Sequence, residues 1–208
     1  MAIDEENRLS YHKGNIDGPS GNLGRWRQKL RYVQFDAEDG DVTANDVLQA
    51  FQSARVLYDL GCGKGDSTED LLLLSPNAEV IYPVDSDPMN IFQLNHASFI
   101  HESNVQYNPH FGDITDFLQR EDKLPASIAI LRGVPTHHLD TDGGYQNLAD
   151  SVEVGGLVVE MVDTQLDAEK MKKCGFEELR REDDEFGFGL SDIFWQKKAS
   201  EEQIERPA

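Results

Sequence analysis

Val56-Leu57-Tyr58-Asp59-Leu60-Gly61-Cys62-Gly63-Lys64-Gly65-Asp66 is the stretch on which the reading of this chain turns. An apolar run ends in a carboxylate and passes directly into a loop with glycine at alternate positions. Only residues without a Cβ let a backbone turn this sharply and admit a ligand this closely. The order strand, glycine loop, helix is that of a nucleotide-type binding unit. Asp59 sets its charge preference, because a carboxylate at the strand tip repels a pyrophosphate and attracts a cation. In the dinucleotide fingerprint the glycines follow G-x-G-x-x-G and phosphate sits on the helix N-terminus. Here the third glycine arrives one residue early, so the loop fits a dehydrogenase poorly. A tight strand-to-helix turn with no ligand is the plain alternative.

Two further acids close apolar segments downstream. Ala78-Glu79-Val80-Ile81-Tyr82-Pro83-Val84-Asp85 ends in a carboxylate twenty positions after Gly65, where a second parallel strand delivers an acceptor for the two hydroxyls of a ribose. Asp87-Pro88 follows, with Asp as N-cap and Pro at the first helical position, which makes Asp87 structural and Asp85 the ligand. A third extended segment, Asn104 to Gly112, leads to Asp113. That acid can accept from the exocyclic amine of an adenine or cap the helix beginning at Ile114, and its two oxygen atoms allow both.

With these residues in place, the chain resembles the class I S-adenosylmethionine-dependent methyltransferases from about Arg55 to Lys198. Asp59, Gly61, Gly63 and Gly65 are similar to the family's first motif, Asp85 to its ribose acid and Asp113 to its adenine acid. Ser127-Ile128-Ala129-Ile130-Leu131-Arg132 resembles the fourth strand, with Arg132 at its carboxyl end. Val154 to Glu160 resembles the fifth strand, and Cys174-Gly175-Phe176 the turn before the sixth. Pro83 departs from the pattern, because the family's second strand is interior and proline removes a ladder hydrogen bond.

The resemblance implies a Rossmann-like α/β fold: a seven-stranded, mostly parallel sheet in the order 3-2-1-4-5-7-6, an antiparallel last strand, and helices on both faces. It implies S-adenosyl-L-methionine as cofactor, held by Asp59, Gly61, Gly63, Gly65, Asp85, Asp113 and Arg132. It also implies methyl transfer to a small-molecule oxygen or nitrogen. A cofactor-binding scaffold without turnover is the alternative. His138, in the loop after the fourth strand, is the candidate general base because imidazole titrates nearest neutrality, with Asp140 to orient it. Its bland reading is a pocket wall or helix start. Arg132-Gly133-Val134-Pro135 lacks the N-P-P-Y amide-binding signature, which disfavours adenine-N6 and glutamine methylation.

Composition narrows the partners. Nineteen Lys and Arg stand against thirty-nine Asp and Glu, a net charge of −20 over 208 residues. Such a surface repels phosphate backbones, so a nucleic-acid substrate loses its main electrostatic attraction. Adaptation to a salt-rich cytoplasm is the competing source of the acidity. No apolar stretch spans a membrane and the N-terminus lacks a basic signal start, so a cytoplasmic protein is expected. Cys62 and Cys174 suggest neither disulfide nor metal site.

The sequence divides into a flexible lead and candidate substrate lid at 1–42, a methyltransferase domain at 43–198 and a frayed tail at 199–208. Within the lead, Arg25, Arg27, Lys29 and Arg31 surround Trp26 as a basic island that would clamp an anionic acceptor or pair with the protein's own acids. Ser67-Thr68-Glu69-Asp70 carries helix-start signals. Met89, Phe92, His96 and Phe99 form one helical stripe with His96 at the core edge, and Phe176–Arg181 with Ile193–Lys197 reads as a closing hairpin.

Overall fold

The computed structural model describes residues 33, 36–38, 40–140, 143–161, 164, 166–183 and 191–199. The basic island at 25–31 and the tail from 200 lie outside these. In chain order the elements are α1 (Val42–Ser53), β1 (Val56–Leu60), α2 (Asp66–Leu74), β2 (Val80–Asp85), α3 (Pro88–Leu94) and α4 (Ser98–Glu102). There follow β3 (Gln106–Tyr107), β4 (His110–Phe111), α5 (Ile114–Leu118), β5 (Ala126–Leu131), a 3₁₀ turn at Thr136–His138 and α6 (Gly144–Asp150). β6 (Val152–Glu160), α7 (Ala168–Lys173), β7 (Phe176–Asp183) and β8 (Ser191–Lys197) complete the order.

Among the described residues eight strands form one sheet in the order β3-β2-β1-β5-β6-β8-β7, with β4 also beside β2. All pairs are parallel except those made by β8. This is the expected order with the third strand split into β3 and β4, and two prolines account for the split. Val80 N bonds to Arg55 O on the β1 side, whereas Asn108 N and Gly112 N reach Ile81 O and Asp85 O on the other. Alternation therefore turns the Pro83 nitrogen toward the edge, away from β1. The third strand breaks there at Asn108-Pro109, between the pairs Ile81–Tyr107 and Val84–His110. A missing donor faces a gap in the ladder, so the interior strand keeps its bonds to β1.

Both faces of the central strands are buried, as a parallel sheet requires. Leu57, Ile81, Ile128, Ile130, Leu157 and Val159 pack on one side with Val47 and Phe51 of α1 and Leu71 of α2. Tyr58, Tyr82, Leu131, Val158 and Trp195 pack on the other with Phe117, Leu148 and Met171. There Tyr58 meets Tyr82 and Phe117 edge-on, at centroid distances of 5.4 and 5.0 Å. Such geometry suits the aromatic quadrupole.

Val33 and Ala37 are buried in the core, and Arg180 of β7 binds Asp36, Asp41 and Glu182, meeting Asp41 Oδ2 at 2.9 Å. Two local expectations are corrected. Helix α2 starts at Asp66 with Gly65 as its cap and no side-chain capping bond, because the Ser67 and Thr68 hydroxyls turn to another acceptor. The stripe of Met89, Phe92 and His96 is exposed, since the helix ends at Leu94 and Ile91, Leu94 and Ile100 face inward instead. Asp87 does cap α3, accepting from Met89 N at 2.8 Å with Pro88 at the first position.

Phe117 fills the space between the two tyrosines and is fully buried. Phe117→Ala is expected to lower the unfolding free energy by about 3–5 kcal/mol, read by urea denaturation. A loss below about 1 kcal/mol would contradict the packing described.

Candidate active site

The parallel strands end together on one side of the sheet, and the loops after β1 and β5 leave toward opposite faces. A crevice opens where such neighbours diverge. It holds a cavity of about 400 Å³ lined by residues 61–64, Asp66, Asp85, Ser86, 112–114, 132–135 and His138. Its size suits a small ligand. Arg132 and Lys64 bring positive charge and Asp66, Asp85 and Asp113 negative charge, so the walls match a zwitterion better than a polyanion.

The glycine loop makes this space possible. Gly61 has φ +84°, and a Cβ there would stand 2.2 Å from Arg132 O. Only glycine lets the β1 exit pass this close to the β5 exit. Gly63, at φ +53°, has nothing within 4 Å of where a Cβ would lie and so leaves the cavity open. Gly65 turns the chain into α2 and does not line the cavity.

Asp59 does not line it either. Its carboxylate is fully buried beneath the loop, accepting from Thr68 Oγ1 at 2.6 Å and from Ser67 Oγ at 2.9 Å. Burial pushes its pKa up to about 6, against the pull of the two hydroxyls and Arg132, with Asp85 adding to the rise. The sequence places Asp59 correctly at the strand tip but not its partners. The hydroxyls that look like a helix cap are the groups that satisfy a buried acid.

Asp85 lies at the rim, half-buried. Its Oδ2 accepts from Gly63 N at 2.8 Å, and its Oδ1 from Asp87 N at 2.8 Å and Asn90 Nδ2 at 3.2 Å. A carboxylate offers about four acceptor positions, and the protein fills three. Asp113 is similarly committed: Oδ1 accepts from Thr115 N at 2.8 Å and Thr115 Oγ1 at 2.6 Å, and Oδ2 meets His138 Nδ1 at 2.9 Å. Partial burial raises the Asp113 pKa, but the Thr115 bonds and His138 outweigh it and hold the carboxyl below its ordinary range. Asp140, expected to orient His138, pairs with Lys170 instead. Sequence proximity misled here, because the turn sends the two side chains to different neighbours.

The wall at 132–135 has support that the sequence did not reveal. Thr164 accepts from Val134 N at 3.3 Å and donates to Leu131 O at 3.4 Å. Glu160, at the end of β6, accepts from Leu166 N and Trp195 Nε1, both at 2.9 Å. Burial raises its pKa against those two bonds.

No protein-family model matches the sequence, and no curated protein matches it as a relative. Solved structures do match. An O-methyltransferase family protein from Burkholderia thailandensis aligns over 97% of this chain at TM-score 0.56 and 14% identity, and the chain spans 65% of that protein's length. An rRNA methylase from Streptococcus thermophilus aligns over 74% of this chain and 93% of its own, at TM-score 0.51 and 18% identity. Aeropyrum pernix fibrillarin, solved with natively bound S-adenosyl-L-methionine, aligns over 69% of this chain and 66% of its own, at TM-score 0.52 and 16% identity. The chain shares its fold with these structures.

Because the folded pKa of Asp59 stands above its unfolded one, the native state holds this proton more tightly. That contribution to stability is full below about pH 4 and is lost as pH rises through about 6. Asp59→Asn needs no proton. It is expected to gain roughly 1–3 kcal/mol relative to wild type on going from pH 4 to pH 7, read by unfolding at a series of pH values. A difference independent of pH would refute the buried-acid assignment.

Proposed function

We propose that this chain is an S-adenosylmethionine-dependent methyltransferase that moves a methyl group to an oxygen or nitrogen of a small molecule. The observation that carries the reading is Asp85, whose carboxylate meets the Gly63 amide at 2.8 Å beside a cavity lined by charges of both signs. That arrangement sets a ribose acceptor beside a glycine loop, where its charge disfavours a pyrophosphate. Gly61 and Gly63 admit close approach, and Asp59 and Gly65 act from outside the cavity by fixing the loop. Arg132 and Lys64 suit the carboxylate of the methionine moiety. Asp85 offers its remaining acceptor position to a ribose hydroxyl, and Asp113 offers one to the adenine amine.

S-Adenosylmethionine supplies an electrophilic methyl group on a sulfonium, which leaves as a neutral thioether. The protein's part is to hold the acceptor in line, and orientation of this kind contributes up to ~7–11 kcal/mol. The net charge of −20 favours a small acceptor, because a polyphosphate strand would bind without counterion release.

The test is calorimetric titration with S-adenosylhomocysteine, followed by a screen of small metabolites for transfer of a labelled methyl. Efficient methylation of a structured RNA at physiological salt would overturn the acceptor class. Binding without transfer to any acceptor would favour the scaffold. Asp85→Ala is expected to weaken S-adenosylhomocysteine binding by about 1.5–3 kcal/mol, the loss of a charged hydrogen bond. Unchanged affinity would remove Asp85 from the site.

A further inference from the structure

We infer that His138 belongs to the adenine end of the cavity, where it positions Asp113, and is not the base that takes a proton from the acceptor. The inference rests on S-adenosylmethionine being the ligand and sharpens that reading. The resemblance makes Asp113 the adenine acid, and a general base at His138 would have to stand at the methyl group. The 2.9 Å contact between them puts both side chains in one place. In the cofactor the adenine is joined to C1′ of the ribose and the sulfonium to C5′. A side chain touching the adenine-reading acid is therefore a whole ribose away from the reacting carbon, and only one of the two roles survives.

The order of loops along the sheet edge decides which. Strands β5, β1, β2 and β4 lie side by side, so Arg132 and the glycine loop occupy one end, Asp85 the centre and Asp113 the far end. By that order, a ribose held at Asp85 has the cations of the cavity wall on one side and Gly112, Asp113 and Ile114 on the other. The methionine carboxylate takes the cationic side, which leaves adenine for Asp113. There the Thr115 amide and hydroxyl fill Oδ1, and His138 holds Oδ2 with one acceptor position turned to the ligand.

The turn that carries His138 is held by contacts of its own. The ring stacks on His137 at a centroid distance of 4.4 Å, and His138 N bonds to Pro135 O at 3.0 Å. The adjacent Leu139 is fully buried, and Gly144 packs where a Cβ would lie 2.4 Å from Leu139 O. Such a mount suits a residue that sets the direction of a carboxylate.

The experiment titrates wild type, Asp113→Asn and His138→Phe with S-adenosylhomocysteine and with S-inosylhomocysteine, its 6-oxo analogue, after melting curves confirm folding. Asn also caps a helix, but it presents a donor where Asp presents only acceptors. Wild type should favour the amine, and Asp113→Asn should lose roughly 10- to 150-fold in affinity for it and prefer the oxo analogue. His138→Phe should weaken amine binding roughly 2- to 12-fold and narrow the preference without reversing it. Should Asp113→Asn not fold, Asp113→Ser keeps a capping hydroxyl and should abolish the preference. The assignment is overturned if His138→Phe binds both ligands as wild type does, or if either Asp113 variant keeps the adenine preference. Failure of wild type to bind S-adenosylhomocysteine at all is a separate result that strikes the cofactor reading itself.

Discussion

The buried carboxylate of Asp59 and the hydroxyls of Ser67 and Thr68 tie the tip of β1 to the first turn of α2, and the ligand loop is whatever chain remains between them. A charge taken fully out of water is costly unless it is hydrogen-bonded. Here two hydroxyls at 2.6 and 2.9 Å supply the bonds. The span from Gly61 to Gly65 must close in five residues, with glycine at the points of closest approach. Its shape therefore follows from a contact beneath it as much as from its own backbone. This explains why Asp59 occupies a site position in sequence without lining the cavity.

The two rim acids share a design. Asp85 ties the glycine loop to the tip of β2, and Asp113 ties the start of α5 to the turn after β5. Each uses most of its acceptor capacity within the protein, and both residues line the cavity. A carboxylate fixed this way loses little freedom when a ligand binds, so less of the interaction is lost to ordering. The arrangement also limits the ligand. A bidentate clasp of a ribose diol at Asp85 requires the weakest internal bond, from Asn90 Nδ2 at 3.2 Å, to yield.

Much of the fold is legible in the sequence because alternation, glycine loops and strand-terminal acids are local signals. The strand order and the antiparallel last strand came from resemblance, and the sheet has them. What was not legible depends on direction in space. Pro83 and Pro109 are plain in the sequence, but only the pairing shows that both prolines meet the same gap. Ser67 and Thr68 have the composition of a cap, yet a buried acid eight residues earlier competes for their hydroxyls and wins. Asp140 is near His138 along the chain, while Asp113 is near it in space. The exposed Met89 and Phe92 fit a helical stripe that the early end of α3 turns outward.

The net charge of −20 acts on this site from a distance. Few of those charges touch the cavity, and salt screens the rest over roughly 8–10 Å. Even so, the summed field attracts cations to the crevice. For a ligand that arrives carrying a sulfonium and departs as a neutral thioether, that field acts in one direction only. It favours entry of the charged form and leaves the product less strongly held. An acidic surface that works against a polyphosphate acceptor thus works in favour of a cationic methyl donor, and one property of the sequence bears on both partners of the proposed reaction.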